Sequence, residues 1–212
     1  MHELIENVLI NRDAIEHRIG QVATQIAADL RTCDMMADRQ INAKSEIPKD
    51  TEPGKQKLPE LILVPILTGS IIFVADLIRK LPMPMQIHLV SVVSYPGTTT
   101  VSHGAKLRNE LTTLPETLRG TNVLIVDDIL DSGQTLKLVK QQLVRRAPAS
   151  IRTCVLLRKQ HSQALKHEVD YVCFEIPDRF VVGYGLDYNG YYRNLPDIVT
   201  LRSDAMQDTV DK

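Results

Sequence analysis

VLIVDDILDSGQTLKLV, residues 123–139, decides how this chain is read. Four apolar residues, Val123 to Val126, run directly into two carboxylates, Asp127 and Asp128. A third, Asp131, follows three residues later, and Ser132, Gly133, Gln134 and Thr135 then open a helix. A short apolar run without polar alternation suits a strand buried on both faces. A helix starting straight after it offers free backbone N–H groups and the positive end of its dipole, which together bind phosphate. Gly133 permits close backbone approach, and the Ser132 and Thr135 hydroxyls add donors. Adjacent residues at a strand end point to opposite sides. One of Asp127 and Asp128 can therefore accept from sugar hydroxyls while the other serves a metal, directly or through water. An Asp-rich turn is often no more than a helix cap. Two acids emerging from a buried strand need a stronger reason, because charge there is costly. The spacing fits a sugar bearing one phosphate.

The pattern repeats outward. LILVPIL (61–67) is a second buried strand; Ser70 is placed to cap the next helix, in which Ile71, Val74, Ala75 and Ile78 share a face. MQIHLVSVV (85–93) supplies the next strand. Beyond the central motif come a helix from about Gly133 to Arg146, then IRTCVLL (151–157), VDYVCFEI (169–176) and a last strand near Phe180–Tyr184. Apolar strands joined by helices predict an α/β fold, a Rossmann-like parallel sheet flanked by helices, with right-handed crossovers. Ligands then bind beyond the carboxyl ends of the strands, where strand order reverses. Upstream, Ile15, Ile19, Val22, Ile26 and Leu30 recur at helical spacing behind Asn11 as N-cap. Residues 31–60, with SEIPKDTEPGKQK, lose that periodicity and read as an exposed or partly disordered insertion. Residues 203–212 read as a flexible tail, and 1–212 as a single domain.

Composition narrows the function. With 25 basic and 26 acidic residues the net charge is −1, which argues against a general nucleic-acid or membrane-surface binder but leaves room for a local anion site. The three cysteines cannot all pair, and Cys154 and Cys173 sit in apolar runs as reduced core thiols. MHELIENVLI lacks the basic start and long apolar stretch of a signal peptide. The apolar run at 61–67 is far short of the ~20 residues that span a bilayer. A soluble cytoplasmic protein is expected. GYGLDYNG (183–190) lacks the third glycine of a dinucleotide fingerprint, His161 and His167 are not spaced as a metal pair on one helical face, and no Gly-x-Ser-x-Gly elbow occurs.

The 123–139 segment resembles the phosphoribosyl-pyrophosphate signature of the type I phosphoribosyltransferases: a hydrophobic run, two acids, two apolar residues, then Asp-Ser/Thr-Gly. FEIPDRFVVGYGLDYNGYYRNLP, residues 174–196, resembles the hypoxanthine-guanine branch, and the likeness runs from about Leu61 to Leu201. It implies the family fold, with a small hood formed by the N- and C-terminal segments. It also implies Mg2+-dependent transfer of ribose 5-phosphate from phosphoribosyl pyrophosphate (PRPP) to a 6-oxopurine, in a homodimer or homotetramer. The base it implies is hypoxanthine, with guanine beside it, giving IMP or GMP in purine salvage; the preference among hypoxanthine, guanine and xanthine stays open.

By the same resemblance Asp131 acts as general base or acid at purine N7, and Ser132, Gly133, Gln134 and Thr135 hold the 5′-phosphate. Asp127 and Asp128 take the ribose hydroxyls and, with Asp187, the metal. Thr68, Gly69 and Arg193 face pyrophosphate. Lys159 donates to the 6-oxo group, Phe180 stacks on the purine, the Val181 backbone reads its edge and Asp187 lies beside that site. Ser94 and Tyr95 belong to a mobile loop within 92–107 that closes over the reaction. The family's turn after the first core strand often holds a non-proline cis peptide. Two departures stand out: Thr68 replaces the usual lysine, and Pro96 precedes Gly97 in the mobile loop. A rival from another class is a regulator that keeps this fold to sense PRPP or nucleotide and bind nucleic acid; the net charge and lack of a basic tract count against it.

Overall fold

The apolar segments pair as parallel strands in a computed structural model that describes residues 4–42, 61–93, 106–107 and 114–202. In chain order the elements are β1 (Ile5–Ile10), α1 (Arg12–Asn42), β2 (Leu61–Leu67), α2 (Ile71–Lys80), β3 (Met85–Ile87), β4 (Val90–Val93) and β5 (Lys106–Leu107). They continue with β6 (Asn122–Leu130), α3 (Gln134–Val144), β7 (Ser150–Lys159), β8 (Tyr171–Ile176), β9 (Val181–Val182) and β10 (Ile198–Leu201). The expected 85–93 strand is one sheet position in two pieces. Both β3 and β4 run parallel to β2, and between them the His88 N–H donates to the Leu63 carbonyl at 2.9 Å. Across the sheet the order is β3/β4, β2, β6, β7, β8, all parallel, with β5 antiparallel on β4.

Strand order therefore reverses between β2 and β6. The chain leaves β2 in one direction and β6 in the other, so crossovers of one hand must place α2 and α3 on opposite faces. They do. Phe73, Val74 and Leu77 of α2 pack with Leu61, Leu63, Leu124 and Val126, together with the α1 stripe of Ile15, Ile19, Val22, Ile26 and Leu30. Leu136, Val139 and Leu143 of α3 pack with the alternate strand residues Ile62, Val64, Val123 and Ile125. Each strand feeds two cores, which is why its sequence shows no polar alternation.

Four details differ from the sequence reading. The α1 helix, capped at Asn11 by a 2.9 Å bond from the Ala14 N–H to Oδ1, runs on to Asn42, so the 31–60 stretch begins as helix. Residues 31–42 hold no Gly or Pro and several good helix formers, which sustain a helix without apolar periodicity; 43–60 lie outside the described residues. Ser70 occupies the N-cap position of α2, but its buried hydroxyl donates to the Ile66 carbonyl instead of capping. The buried face of α2 is Phe73, Val74 and Leu77, with Ile71 exposed. That helix is apolar nearly all round, so spacing alone fits two faces and the bulkiest side chain takes the core. Finally, β1, β10 and β9 form a separate antiparallel sheet, the hood, around Val182, Val199 and Leu201. Neither β1 nor β10 was foreseen as a strand.

Cys154 and Cys173 are buried free thiols. No helix among the described residues is long and apolar enough to cross a membrane. The 203–212 segment lies outside the described residues. Phe73 is fully buried under the sheet, so Phe73→Ala should cost about 3–5 kcal/mol of stability. Urea denaturation checks this; a loss below about 1 kcal/mol would contradict this packing.

Candidate active site

β2 and β6 lie side by side at the reversal, and both end at the same edge of the sheet. That edge opens into a cavity of about 330 Å³ lined by Thr68, Gly69, Asp127, Asp128 and Asp131, by Ser132, Gly133 and Thr135 at the start of α3, and by Asp187 and Arg193 from the hood side. It is where a doubly wound sheet binds ligands. A larger cavity of about 450 Å³ shares Arg193 but contains none of the acidic turn.

Asp127 is buried, and its Oδ1 accepts the Asp128 N–H at 3.1 Å; Asp128 Oδ1 accepts the Ile129 N–H at 2.9 Å. Burial, and then the neighbouring Asp128 charge, pushes the Asp127 carboxyl well above the usual carboxylate range. Burial also raises Asp128, against the pull of its hydrogen bonds and of Arg193. Two carboxylates sharing a dry site resist ionising together. Their position requires glycine opposite. A Cβ on Gly69 would stand 1.6 Å from Asp128 Oδ2, and one on Gly185, whose φ is +101°, would stand 2.2 Å from the Gly69 carbonyl oxygen. The peptide Leu67–Thr68 leading into this turn is cis.

The turn ahead of α3 is equally tight. Gly133, at φ +71°, precedes α3, and the Gln134 N–H faces Ser132 Oγ at 3.5 Å. Gln134 itself is exposed and does not line the cavity. His167 Nε2 lies 3.0 Å from the Ser132 carbonyl, to which it donates, and its ring fills the space a Gly133 Cβ would need, with Cδ2 only 2.2 Å away.

At the next corner four side chains form one ionic cluster. Lys159 Nζ is 2.9 Å from Asp131 Oδ2 and 3.1 Å from Asp178 Oδ1, while His161 Nε2 is 2.7 Å from Asp131 Oδ1. Burial works to raise Asp131, but the hydrogen bonds from Lys159 and His161 outweigh it and hold the carboxyl below its usual range. Burial likewise works to lower Lys159, and Asp131 and Asp178 outweigh it to keep the ammonium charged. Strand register brings the pair together: Leu130 of β6 lies opposite Arg158 of β7, so Asp131 follows beside Lys159.

On the hood side Phe180 is exposed and meets Tyr188 edge to face at 5.5 Å, and Val181 is buried opposite Thr200. Asp187 is fully engaged: Oδ1 lies 2.7 Å from Arg193 Nη2 and Oδ2 accepts the Gly190 N–H at 2.7 Å. Arg193 Nη1 donates to the Gly185 carbonyl at 2.7 Å, bracing the segment whose Gly185 packs on the Gly69 turn. Ser94 and Tyr95 lie outside the described residues. The sequence reading missed His161, His167 and Asp178. The spacing of the two histidines in the sequence points to no shared site, yet each touches the 131–133 turn.

Among the described residues no group of three or more His, Cys, Asp or Glu is placed to hold a metal by itself. The hard oxygen donors Asp127 and Asp128, adjacent in β6, and Asp187, from the segment between β9 and β10, line the cavity. Residues 45–189 match the phosphoribosyl transferase domain, well over half of the chain. The chain belongs to the type I phosphoribosyltransferase family. The hypoxanthine-guanine phosphoribosyltransferase of Mycobacterium tuberculosis is 36% identical over 197 residues, 93% of this chain and 86% of that protein. The hypoxanthine phosphoribosyltransferase of Salmonella typhimurium is 41% identical over 146 residues, 69% of this chain and 80% of that protein. Among solved structures, that of the hypoxanthine phosphoribosyltransferase from Trypanosoma cruzi with its product IMP has a TM-score of 0.74 and 33% identity, covering 96% of this chain and 98% of that one.

Two outcomes are expected of this phosphoribosyltransferase. Gly133→Ala forces a side chain into a left-handed φ, of order 1–3 kcal/mol by itself, and into the His167 ring. It should lower the melting temperature and weaken PRPP binding, both measurable by thermal shift with and without PRPP. The second concerns pH. A carboxyl whose folded pKa lies above its unfolded value binds more protons when folded, so its stabilising effect is complete at low pH and lost as pH rises through the folded value. The raised Asp127 should therefore make the EDTA-treated, ligand-free protein less stable as pH rises above the ordinary carboxylate range. Asp127→Asn, which keeps the acceptor for the Asp128 N–H, should flatten that slope and raise the melting temperature at neutral pH by about 2–4 °C per kcal/mol relieved. An unchanged slope would contradict the raised pKa.

Proposed function

We propose that this phosphoribosyltransferase serves purine salvage, moving ribose 5-phosphate from PRPP to hypoxanthine, and to guanine, to give IMP or GMP and pyrophosphate. The observation that carries the choice of base is the Lys159–Asp131 pair, an ammonium and a carboxylate 2.9 Å apart beside the phosphate turn. A 6-oxopurine offers an acceptor at O6 and a protonatable nitrogen at N7, the complement of that pair. Adenine would set its amino group against the Lys159 ammonium, donor to donor, and leave both unpaired. The names of the relatives, and the IMP held by the Trypanosoma cruzi enzyme, support the same choice.

The remaining residues divide the second substrate among them. The start of α3, with Ser132, Gly133, Gln134 and Thr135, takes the 5′-phosphate. Asp127 and Asp128 accept from the ribose hydroxyls, and the backbone of Thr68 and Gly69 meets pyrophosphate. Phe180 offers its exposed face to the purine, and the backbone at Val181 reads the base edge. As the purine nitrogen bonds to the anomeric carbon, the bond from that carbon to the pyrophosphate oxygen breaks and its electron pair leaves with pyrophosphate. Arg193, the basic side chain lining the cavity, meets the departing charge, and Asp131 takes the purine proton. With threonine at position 68, that guanidinium carries the cationic role on this side. Mg2+ keeps several waters and takes one or two carboxylates plus substrate phosphates, so Asp127, Asp128 and Asp187 suit one that arrives on PRPP and offsets its charge. The reaction belongs to the cytoplasm, where its substrates are.

A base panel with PRPP and Mg2+, scored by pyrophosphate release, tests the assignment: hypoxanthine or guanine should turn over, and adenine and uracil should not. Turnover of adenine alone would overturn the Lys159 logic, and PRPP binding without turnover of any base would favour a regulator. Asp131→Asn keeps an acceptor for His161 but cannot take a proton, so kcat should fall about 10²-fold or more with the melting temperature preserved.

A further inference from the structure

One contact on the acidic turn has no part in the roles just given. His161 leaves the end of β7 two residues after Lys159 and reaches back to Asp131, its Nε2 2.7 Å from Oδ1. The other carboxylate oxygen, Oδ2, belongs to Lys159 at 2.9 Å. The two donors divide the carboxylate, one to each oxygen.

The far side of the imidazole shows which nitrogen carries the proton. Nδ1 faces the backbone N–H groups of Gln163 and Ala164 at 3.2 and 3.4 Å. Both are donors, so Nδ1 must present its lone pair, and a neutral ring then carries its proton on Nε2. That N–H points at Asp131. The two backbone donors belong to the start of a single 3-10 turn, Ala164–Lys166, whose Ala164 is fully buried. The ring is thus pinned to the fold at one end and delivers a single donor at the other.

Asp131 has need of such an anchor. Its side chain is 51% exposed, and its other partner is a lysine that also serves Asp178. An ammonium on a flexible four-carbon stem fixes no direction. In the purine complex the same ammonium must also meet the 6-oxo group. A planar ring held by two backbone donors does fix a direction, and fixing Oδ1 sets where Oδ2 points.

We propose that His161 is the positioning residue for Asp131, holding Oδ1 so that Oδ2 stays aimed at purine N7 while Lys159 engages the base. This rests on the 6-oxopurine reading above. The role separates into two halves that two variants split. In His161→Asn the side-chain oxygen takes the place of Nδ1 and keeps the turn capped, but nothing reaches Asp131. In His161→Gln the terminal amide takes the place of Nε2 and restores the donor to Asp131, but the cap is lost.

The experiment is steady-state kinetics with hypoxanthine and PRPP on wild type and both variants, with melting temperatures and ring 15N chemical shifts of wild type. For His161→Asn we expect an unchanged melting temperature, KM values within about twofold, and kcat lower by about tenfold to hundredfold, as for a misaimed catalytic group. His161→Gln should melt earlier yet recover most of kcat. The 15N shifts should show the Nε2-protonated tautomer at neutral pH. Wild-type kcat in His161→Asn would overturn the role, as would kcat falling in step with melting temperature in both variants, or an Nδ1-protonated ring. Absence of 6-oxopurine turnover in wild type would overturn the function and this role together, which keeps the two failures distinct.

Discussion

Everything at this site hangs on two carboxylates near the end of a strand buried over most of its length. Residues 122–127 of β6 are buried and Asp128 is half-buried, so the pair emerges from an apolar strand into a cavity where burial raises the cost of both charges. The structure meets the cost by removing side chains opposite. Gly69 has no Cβ where Asp128 stands, and Gly185 has none where the Gly69 carbonyl stands. The hood is drawn into the same stack where Gly185 lies against Gly69 and where the Arg193 charge acts on Asp128, while Arg193 braces its own segment by bonding the Gly185 carbonyl and pairing with Asp187. Sheet, turn and hood are thereby fixed relative to one another by contacts that converge on a single pair of acids. A side chain at Gly69 would strike Asp128 of β6, and one at Gly185 would part the hood from the Gly69 turn.

The features legible in the sequence are those whose cause is local or periodic. The core strands could be read because burial on both faces removes polar residues from consecutive positions, as in 61–67 and 123–126. The strand-to-helix turn could be read because strand end, glycine and helix start lie within a dozen residues. Lys159 and Asp131 are different: their meeting depends on the register of β6 against β7, which no local pattern encodes, and only the family likeness pointed to it. His161 and Asp178 lie one step further out, placed by the path of the chain between β7 and β8 and beyond β8. The hood strands β1 and β10 pair across almost the whole length of the chain, so their short apolar runs carried no signal of a partner. The α1 extension failed for the opposite reason. Its residues favour helix without showing an apolar face, and periodicity was the signal being read.

The charges of the cavity lead to one last step. Among the described residues Asp127, Asp128, Asp131 and Asp187 line it against one guanidinium, that of Arg193, yet the proposed substrate is itself a polyanion. Coulomb's law forbids that meeting unless the charges are apportioned. The structure apportions them by place. Asp131 is neutralised within its own cluster by Lys159, and Asp187 by Arg193. The Asp127–Asp128 pair is left with its proton affinity raised by burial. A carboxylate that holds a proton too tightly is also one that gains most from any other positive partner, be it a ribose hydroxyl donor or a divalent ion carried on pyrophosphate. The cost of two close carboxylates at this turn and the affinity for the cation-bearing substrate proposed above are then the same electrostatic quantity. With Thr68 adding no cation to offset it, more of that quantity rests on this one pair.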